Sequence, residues 1–223
     1  MYHACFMLNI DLHCHSTISD GLLTPVQLIE RAASRGVTTM ALTDHDDIAG
    51  LAEARTAAEA KSITFINGVE ISVSWRGRTL HIVGLNIDPE YPPLVEGLAS
   101  IRAGRSQRAE NIAAELARIG IQGSLEGAYA HVGERRLIGR THFARFLVEQ
   151  GYAKDVKSVF KKYLVKGKPG YTSHEWATLS DTIGWICGSG GRAVIAHPGR
   201  YGLGKNVWND LLQEFCALGG SAI

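Results

Sequence analysis

His13 and His15 stand two residues apart in Asp11-Leu12-His13-Cys14-His15, at the end of an apolar run from Phe6 to Ile10 that reads as a buried strand. On an extended strand, residues two apart share a side. The two imidazoles therefore project together, and Cys14 points away. Asp20 follows after a short loop, so this stretch supplies half of a cation site. Other donors recur further on: His45 in Thr43-Asp44-His45-Asp46, Glu70 in Gly68-Val69-Glu70-Ile71-Ser72, His81 in the run 80–85, and His197 in Ala196-His197-Pro198. These seven N and O donors, with no thiolate, suit borderline or hard ions: Mn2+ is expected, with Zn2+ and Fe2+ as alternatives. Seven are too many for one ion. Two or three ions, with Glu70 as a bridging carboxylate, is the natural partition. Closely spaced ions of this kind clamp the attacking and leaving oxygens of a phosphoryl displacement and acidify a bridging water to hydroxide.

The elements that must position these groups alternate. Leu8–Leu12 reads as a strand, Thr24-Pro25 as a helix start, and Val26, Leu28, Ile29, Ala32 and Ala33 as an apolar stripe closed by Gly36. Strands follow at 37–43, 63–72 and 80–85, with an Ala-rich helix at 48–62 and a turn at Arg76-Gly77-Arg78. Strand–helix alternation predicts a parallel sheet with crossover helices. The polar residues fall at strand ends, where α/β barrels carry their active sites. After Pro92-Pro93 the pattern turns helical: one long helix or two over 94–119, with Ile101, Ile112, Leu116 and Ile119 as its apolar face, then shorter pieces including 141–151 and 155–165, read as a helical insertion. Gly167-Lys168-Pro169-Gly170 leads back. A helix at 179–187, a strand at 192–195, a helix at 208–218 and the beginning of a strand at 221–223 complete the chain.

These motifs, in this order and spacing, resemble the PHP (polymerase and histidinol phosphatase) superfamily over residues 8–85 and 192–199. The resemblance implies a distorted (β/α)7 TIM-like barrel with a trinuclear metal site. It would divide into residues 1–93, a helical insertion at 94–168, and continued barrel at 169–223. His13, His15 and Glu70 would hold one metal, Asp20 and His45 a second, and Glu70, His81 and His197 a third. The insertion, with Gly139-Arg140-Thr141-His142, resembles the branch containing 3′,5′-nucleotide bisphosphate phosphatase and RNase AM. The implied activity is hydrolysis of nucleotide phosphate esters, in a bisphosphate such as pAp or in 5′-phosphorylated short RNA, through a metal-bridging hydroxide. One departure stands out. The late Asp-x-His pair of the family is missing, and so are the last helix and strand of the barrel. A chain below ~250 residues fits a truncated barrel. A histidinol-phosphate phosphatase-like enzyme, or a non-catalytic metal- or nucleic-acid-binding PHP fragment, are the rival expectations.

A phosphate substrate requires cations or N–H donors beside the metals. Arg140 and His142 in the insertion, and Arg200 after His197-Pro198-Gly199, are the candidates for substrate binding. Glu70, His197 and Arg140 are the candidates for catalysis. Arg102, Arg105 and Arg108 read as a solvated helix face, and Lys166 and Lys168 as surface charges. His131 and His174 lack a motif, and His3 is terminal. Trp75, Trp176, Trp185 and Trp208 read mainly as core. The 223 residues carry a net charge of +1, which argues against a global polyanion-binding surface. Four cysteines without a CxxC favour a reducing compartment. With neither a secretion signal nor a membrane-span run in view, the cytoplasm is the expected location. No protein partner is implied; the expected partner is a nucleotide or short RNA.

Overall fold

The structure is a computed structural model, and it describes residues 8–132 and 137–223. His3, Cys5, Phe6 and Met7 lie outside the described residues. The first layer is a β/α alternation: β1 (Ile10–Cys14), α1 (Pro25–Ser34), β2 (Thr39–Leu42), α2 (Leu51–Ala60) and β3 (Thr64–Trp75). The start of α1 is set by chemistry read from the sequence. The Thr24 hydroxyl accepts from the Gln27 N–H, the Gln27 side chain accepts from the Thr24 N–H, and Pro25 occupies the first turn.

β1, β2 and β3 run parallel. The fourth strand departs from the parallel expectation. β3 turns at Arg76-Gly77, both at positive φ, into β4 (Arg78–Leu85), which pairs antiparallel with β3 over its full length. A two-residue turn of this conformation matches the twist of paired strands and makes a hairpin, where a parallel neighbour would need a crossover helix. β3 therefore has two neighbours in succession. Residues 64–67 pair with β2, and residues 68–75 pair with β4. Gly68 marks the switch, where a Cβ would lie 2.9 Å from the Leu42 carbonyl oxygen and 2.7 Å from Thr43 Cγ2.

Helices α3 (Pro92–Arg118), α4 (Ser124–Tyr129), α5 (Arg140–Glu149) and α6 (Val156–Val159) follow, and a π-helical turn at Phe160–Leu164 continues α6. Then come β5 (Ala177–Thr178), α7 (Leu179–Gly188), β6 (Arg192–Ile195) and α8 (Lys205–Ala217). The short β5, not foreseen from sequence, adds to the outer end of β3. β6 pairs antiparallel with β4, and Ala222 bridges to Val194 in parallel. The sheet order is β1-β2-β3-β4-β6.

Two apolar cores result. One packs Leu42, Val69, Ile71 and Ile82 against helices α1, α2, α7 and α8 and the first half of α3. The other gathers Ile112, Leu116, Phe143, Leu147 and Leu164 among the helices that precede β5. Two expectations are corrected. The first strand is not buried along its apolar run: Leu8 is 74% and Ile10 50% exposed, because the pairing of β1 is with β2 on one side only among the described residues. Ile119 is exposed rather than part of the α3 core face, since it caps the helix after its last turn. Among the described residues, no helix is long and apolar enough to cross a membrane.

Candidate active site

Glu70 is the hub. It projects from β3 beside the loop that ends β2, where His45 bridges to it backbone to backbone. Its side chain is 1% exposed. Three imidazoles meet Oε2: His13 Nε2 at 3.1 Å, His15 Nε2 at 3.2 Å and His45 Nδ1 at 3.3 Å. Two more meet Oε1: His197 Nε2 at 2.8 Å and His81 Nδ1 at 3.1 Å. His81 is not at the C-terminal end of its strand, as a parallel sheet would have required. It lies early in the antiparallel β4, opposite Ser72, so reversing the strand brings its N-terminal half to the same rim. Asp20 reaches the rim through a tight loop. Its Oδ1 is 3.9 Å from His15 Nδ1, and the following Gly21 packs so closely that a Cβ would lie 2.2 Å from the His15 carbonyl oxygen.

The surrounding carboxylates brace this rim. Asp44 accepts from the Ser16 N–H at 2.8 Å and from the hydroxyls of Ser16 and Ser19 at 2.6 Å each, which fixes the loop that carries Asp20. Asp46 accepts from the Ser72 N–H at 2.6 Å and pairs with Arg105. Asp46 and His197 both hold positive φ, 53° and 32°. Such backbone costs of order 1–3 kcal/mol per residue and persists where surroundings over-determine it.

Burial and the Glu70 carboxylate set the electrostatics of the rim. Burial works to raise the Glu70 pKa, but His45 and the hydrogen bonds from His13, His15 and His197 hold it well below the usual carboxylate range. Burial lowers His45 to about 4, so it is neutral at neutral pH and one of its ring nitrogens keeps an open lone pair. Burial also opposes charge on His15, yet the hydrogen bond and charge of Glu70 outweigh it and raise that pKa. Five imidazoles converge on one carboxylate, and His197 Nδ1 is buried without a hydrogen-bond partner among the described residues. Ligand atoms of His13, His15 and Glu70, of His15, Asp20 and His45, and of His45, Glu70 and His81 lie within 4.8 Å of one another in each set. These N and O donors fit borderline or hard ions.

A cavity of about 210 Å³ opens from Asp20, His45 and His81 toward the helices. Its cationic lining is Arg105, Arg108, Arg140 and Arg200, and Trp176 and Phe160 form walls. Arg105 and Arg108 correct the expectation of a solvated face. Each is 8% exposed, and their guanidinium carbons lie 5.1 and 5.0 Å from the Trp176 ring centre. Burial first, then the charges of Arg140 and Arg105, pull the Arg108 pKa down to about 9. Burial likewise lowers Arg140. Nε of Arg105, Nε of Arg108 and Nε1 of Trp176 are buried without partners among the described residues. Buried cations with unused N–H donors around a cavity form a receptor for an anion.

The other predicted residues fall in distinct places. Arg140 lines the cavity, and its Nη1 donates to the Leu164 carbonyl at 3.4 Å. Arg200 is exposed at the mouth. His142 lies behind the rim, 1% exposed, where it accepts from the Gly139 N–H at 3.0 Å and meets the Ser19 carbonyl at 3.2 Å. Beside it, the Thr141 hydroxyl donates to Asp20 Oδ2 at 2.9 Å. His131 pairs with Glu149 and His174 packs on Trp176. Arg102 binds the Asp46 carbonyl and Asp47.

Residues 11–216 match the PHP domain model. The chain is 55% identical to the 3′,5′-nucleoside bisphosphate phosphatase of Chromobacterium violaceum over 97% of its own length and 76% of that protein's. It is 46% identical to the 5′-3′ exoribonuclease Rnm of Escherichia coli, over 96% of this chain and 73% of the relative. A solved amidohydrolase from C. violaceum, with bound sulfate and no metal, superposes with a TM-score of 0.95 at 55% identity, over 96% of this chain and 76% of that one.

Proposed function

We propose that this chain, which belongs to the PHP domain family and is a metal-dependent phosphoesterase of that family, hydrolyses phosphate esters of nucleotides. The substrate is a 3′,5′-nucleotide bisphosphate such as pAp, or a short 5′-phosphorylated RNA. The observation that carries this reading is one cavity walled on one side by candidate metal ligands and on the other by buried arginines. The names of the relatives from C. violaceum and E. coli point to the same two substrate types.

His13, His15 and Glu70 would hold one ion, Asp20 and His45 a second, and Glu70, His81 and His197 a third, with Mn2+ the expected metal. Bound there, such ions supply Lewis acidity and lower the pKa of water. Glu70 joins two of the sets, because each of its oxygens faces different imidazoles. Arg140, with Arg105 and Arg108, binds the phosphate oxygens and offsets their charge. His197 stands on the opposite side of Glu70 from His15 and serves the leaving-oxygen side. Arg200 closes the mouth. His142, expected to touch substrate, is assigned a positioning role, since both ring nitrogens face backbone groups that carry the Asp20 loop and the start of α5.

The strands are read as part of a distorted (β/α)7 barrel, with 94–168 as a helical insertion that delivers the arginines. Cys14, Cys187 and Cys216 are free thiols, which suits the cytoplasm. The test is Mn-dependent phosphate release from pAp, with histidinol phosphate as the comparison. Selective release from pAp is expected. Equal or greater release from histidinol phosphate would contradict the nucleotide assignment.

A further inference from the structure

We propose that a basic groove beside the catalytic cavity holds the downstream, 3′ part of a 5′-phosphorylated single-stranded oligonucleotide whose first nucleotide occupies the metal centre. This rests on the phosphoesterase reading above. The groove has a volume of about 450 Å³ and runs past the β3–β4 turn and the segment 165–171. It shares Thr79, Arg140 and Arg200 with the catalytic cavity, so a ligand leaving the cavity at its mouth enters the groove directly.

The lining chemistry points to a polyanion. Arg76, Arg78 and Lys166 join Arg140 and Arg200 along it, and among the described residues no carboxylate lines it. Arg76 is already engaged: it pairs with Asp210 at 2.5 Å and lies 4.7 Å from the Trp75 ring centre. Arg78 and Lys166 are exposed. The two cations sit on different segments, one on β4 and one in the 165–171 loop, so they flank a path instead of converging on one anion. In this reading the buried arginines of the cavity take the 5′-phosphate and the metal-ligand wall faces the 3′-phosphate. A nucleotide bisphosphate has no phosphate left for Arg78 and Lys166, whereas each further nucleotide of an RNA adds one. Tyr171, also in the lining, offers a ring on which a base can stack. A cationic track with aromatic faces is the usual solution for single strands.

The test compares wild type with the Arg78→Ala/Lys166→Ala double variant. Binding of a 5′-phosphorylated RNA pentamer carrying a 3′ fluorophore is followed by anisotropy without divalent ions, so that affinity is read apart from turnover. Binding of pAp is followed by calorimetry. Both substituted side chains are exposed, and circular dichroism checks that the fold is kept. The expected result is about a tenfold loss of pentamer affinity, with pAp affinity within about twofold of wild type. The slope of log affinity against log salt for the pentamer falls by about 1.4, roughly 0.7 for each phosphate contact removed. The charge-conserving variant Arg78→Lys/Lys166→Arg restores most of the affinity. Unchanged pentamer affinity in the double variant, equal losses for pAp and pentamer, or no measurable pentamer binding by wild type would each overturn the groove. If metal-loaded wild type releases no phosphate from pAp while pentamer affinity still tracks Arg78 and Lys166, the groove stands and the catalytic reading falls.

Discussion

Arg108 sits 8% exposed beside the Trp176 ring and near Arg105 and Arg140, with no carboxylate in ion-pair contact among the described residues. A cation so placed costs stability in the free protein, because burial removes hydration and its neighbours repel it. That cost makes sense if a phosphate supplies the missing charge. Arg108→Met removes the cation and keeps much of the stem's packing volume. It should raise the unfolding midpoint, by about 1 kcal/mol of stability, while KM for a nucleotide bisphosphate rises about tenfold or more. Calorimetry and phosphate-release kinetics read the two effects together; a lower midpoint with unchanged KM would refute the role. The sequence did hold a sign of this placement. Ile101, Arg105, Arg108, Ile112 and Leu116 share one helical face, so two arginines interrupt an apolar stripe. Judged only by their spacing to each other, they resembled a solvated row. Judged against the stripe, they belong on the buried side. The metal-ligand types were far more legible, since strand alternation and short motifs place His13, His15, His45 and Glu70 locally.

At the scale of elements, α5 is tied to the loop that carries Asp20. His142 meets the Ser19 carbonyl, Thr141 donates to the Asp20 carboxylate, and Arg145 donates to the Asp20 carbonyl. Burial lowers the His142 pKa to about 4, below the ordinary imidazole value. A depressed histidine binds fewer protons folded than unfolded, so its contribution is present above about pH 6.5 and is lost as pH falls toward 4. His142→Gln should therefore flatten the acid-side fall of the unfolding midpoint of the metal-free protein between pH 6.5 and 4, by up to about 3 kcal/mol. Parallel stability curves for variant and wild type would show that His142 does not stay neutral. Elements were legible to different degrees for physical reasons. The Thr24-Pro25 cap and, Ile119 apart, the α3 stripe are local signals, and both appear where the sequence puts them. The direction of β4 was not a local property of its own apolar run. It follows from the two-residue Arg76-Gly77 turn, whose length and positive φ angles specify a hairpin and override the parallel pattern of the preceding strands. The tie between α5 and the Asp20 loop spans more than 120 residues of sequence, and no periodicity reports such a contact.

At the scale of the molecule, α3 passes through both cores. Leu94, Leu98 and Ile101 belong to the sheet's core, and Ala109, Ile112 and Leu116 to the helical one. Arg105 and Arg108 fall between these two groups, so the cavity lies at the seam where the sheet's rim of metal-ligand types meets the helical layer. A seam can hold unpaired charge that neither core would tolerate. This explains how one chain presents imidazoles from four strand ends and guanidiniums from a helix to the same small volume. Glu70 is the single side chain on which that arrangement turns, because five imidazoles converge on its two oxygens. The most direct measurement is the metal content and pAp turnover of Glu70→Gln beside wild type, with circular dichroism to establish folding. Wild type should bind two or three Mn2+ ions per chain. The folded variant should lose at least one of them, together with at least about 10³-fold in turnover. A folded Glu70→Gln protein that keeps every ion and turns over pAp at the wild-type rate would contradict the account.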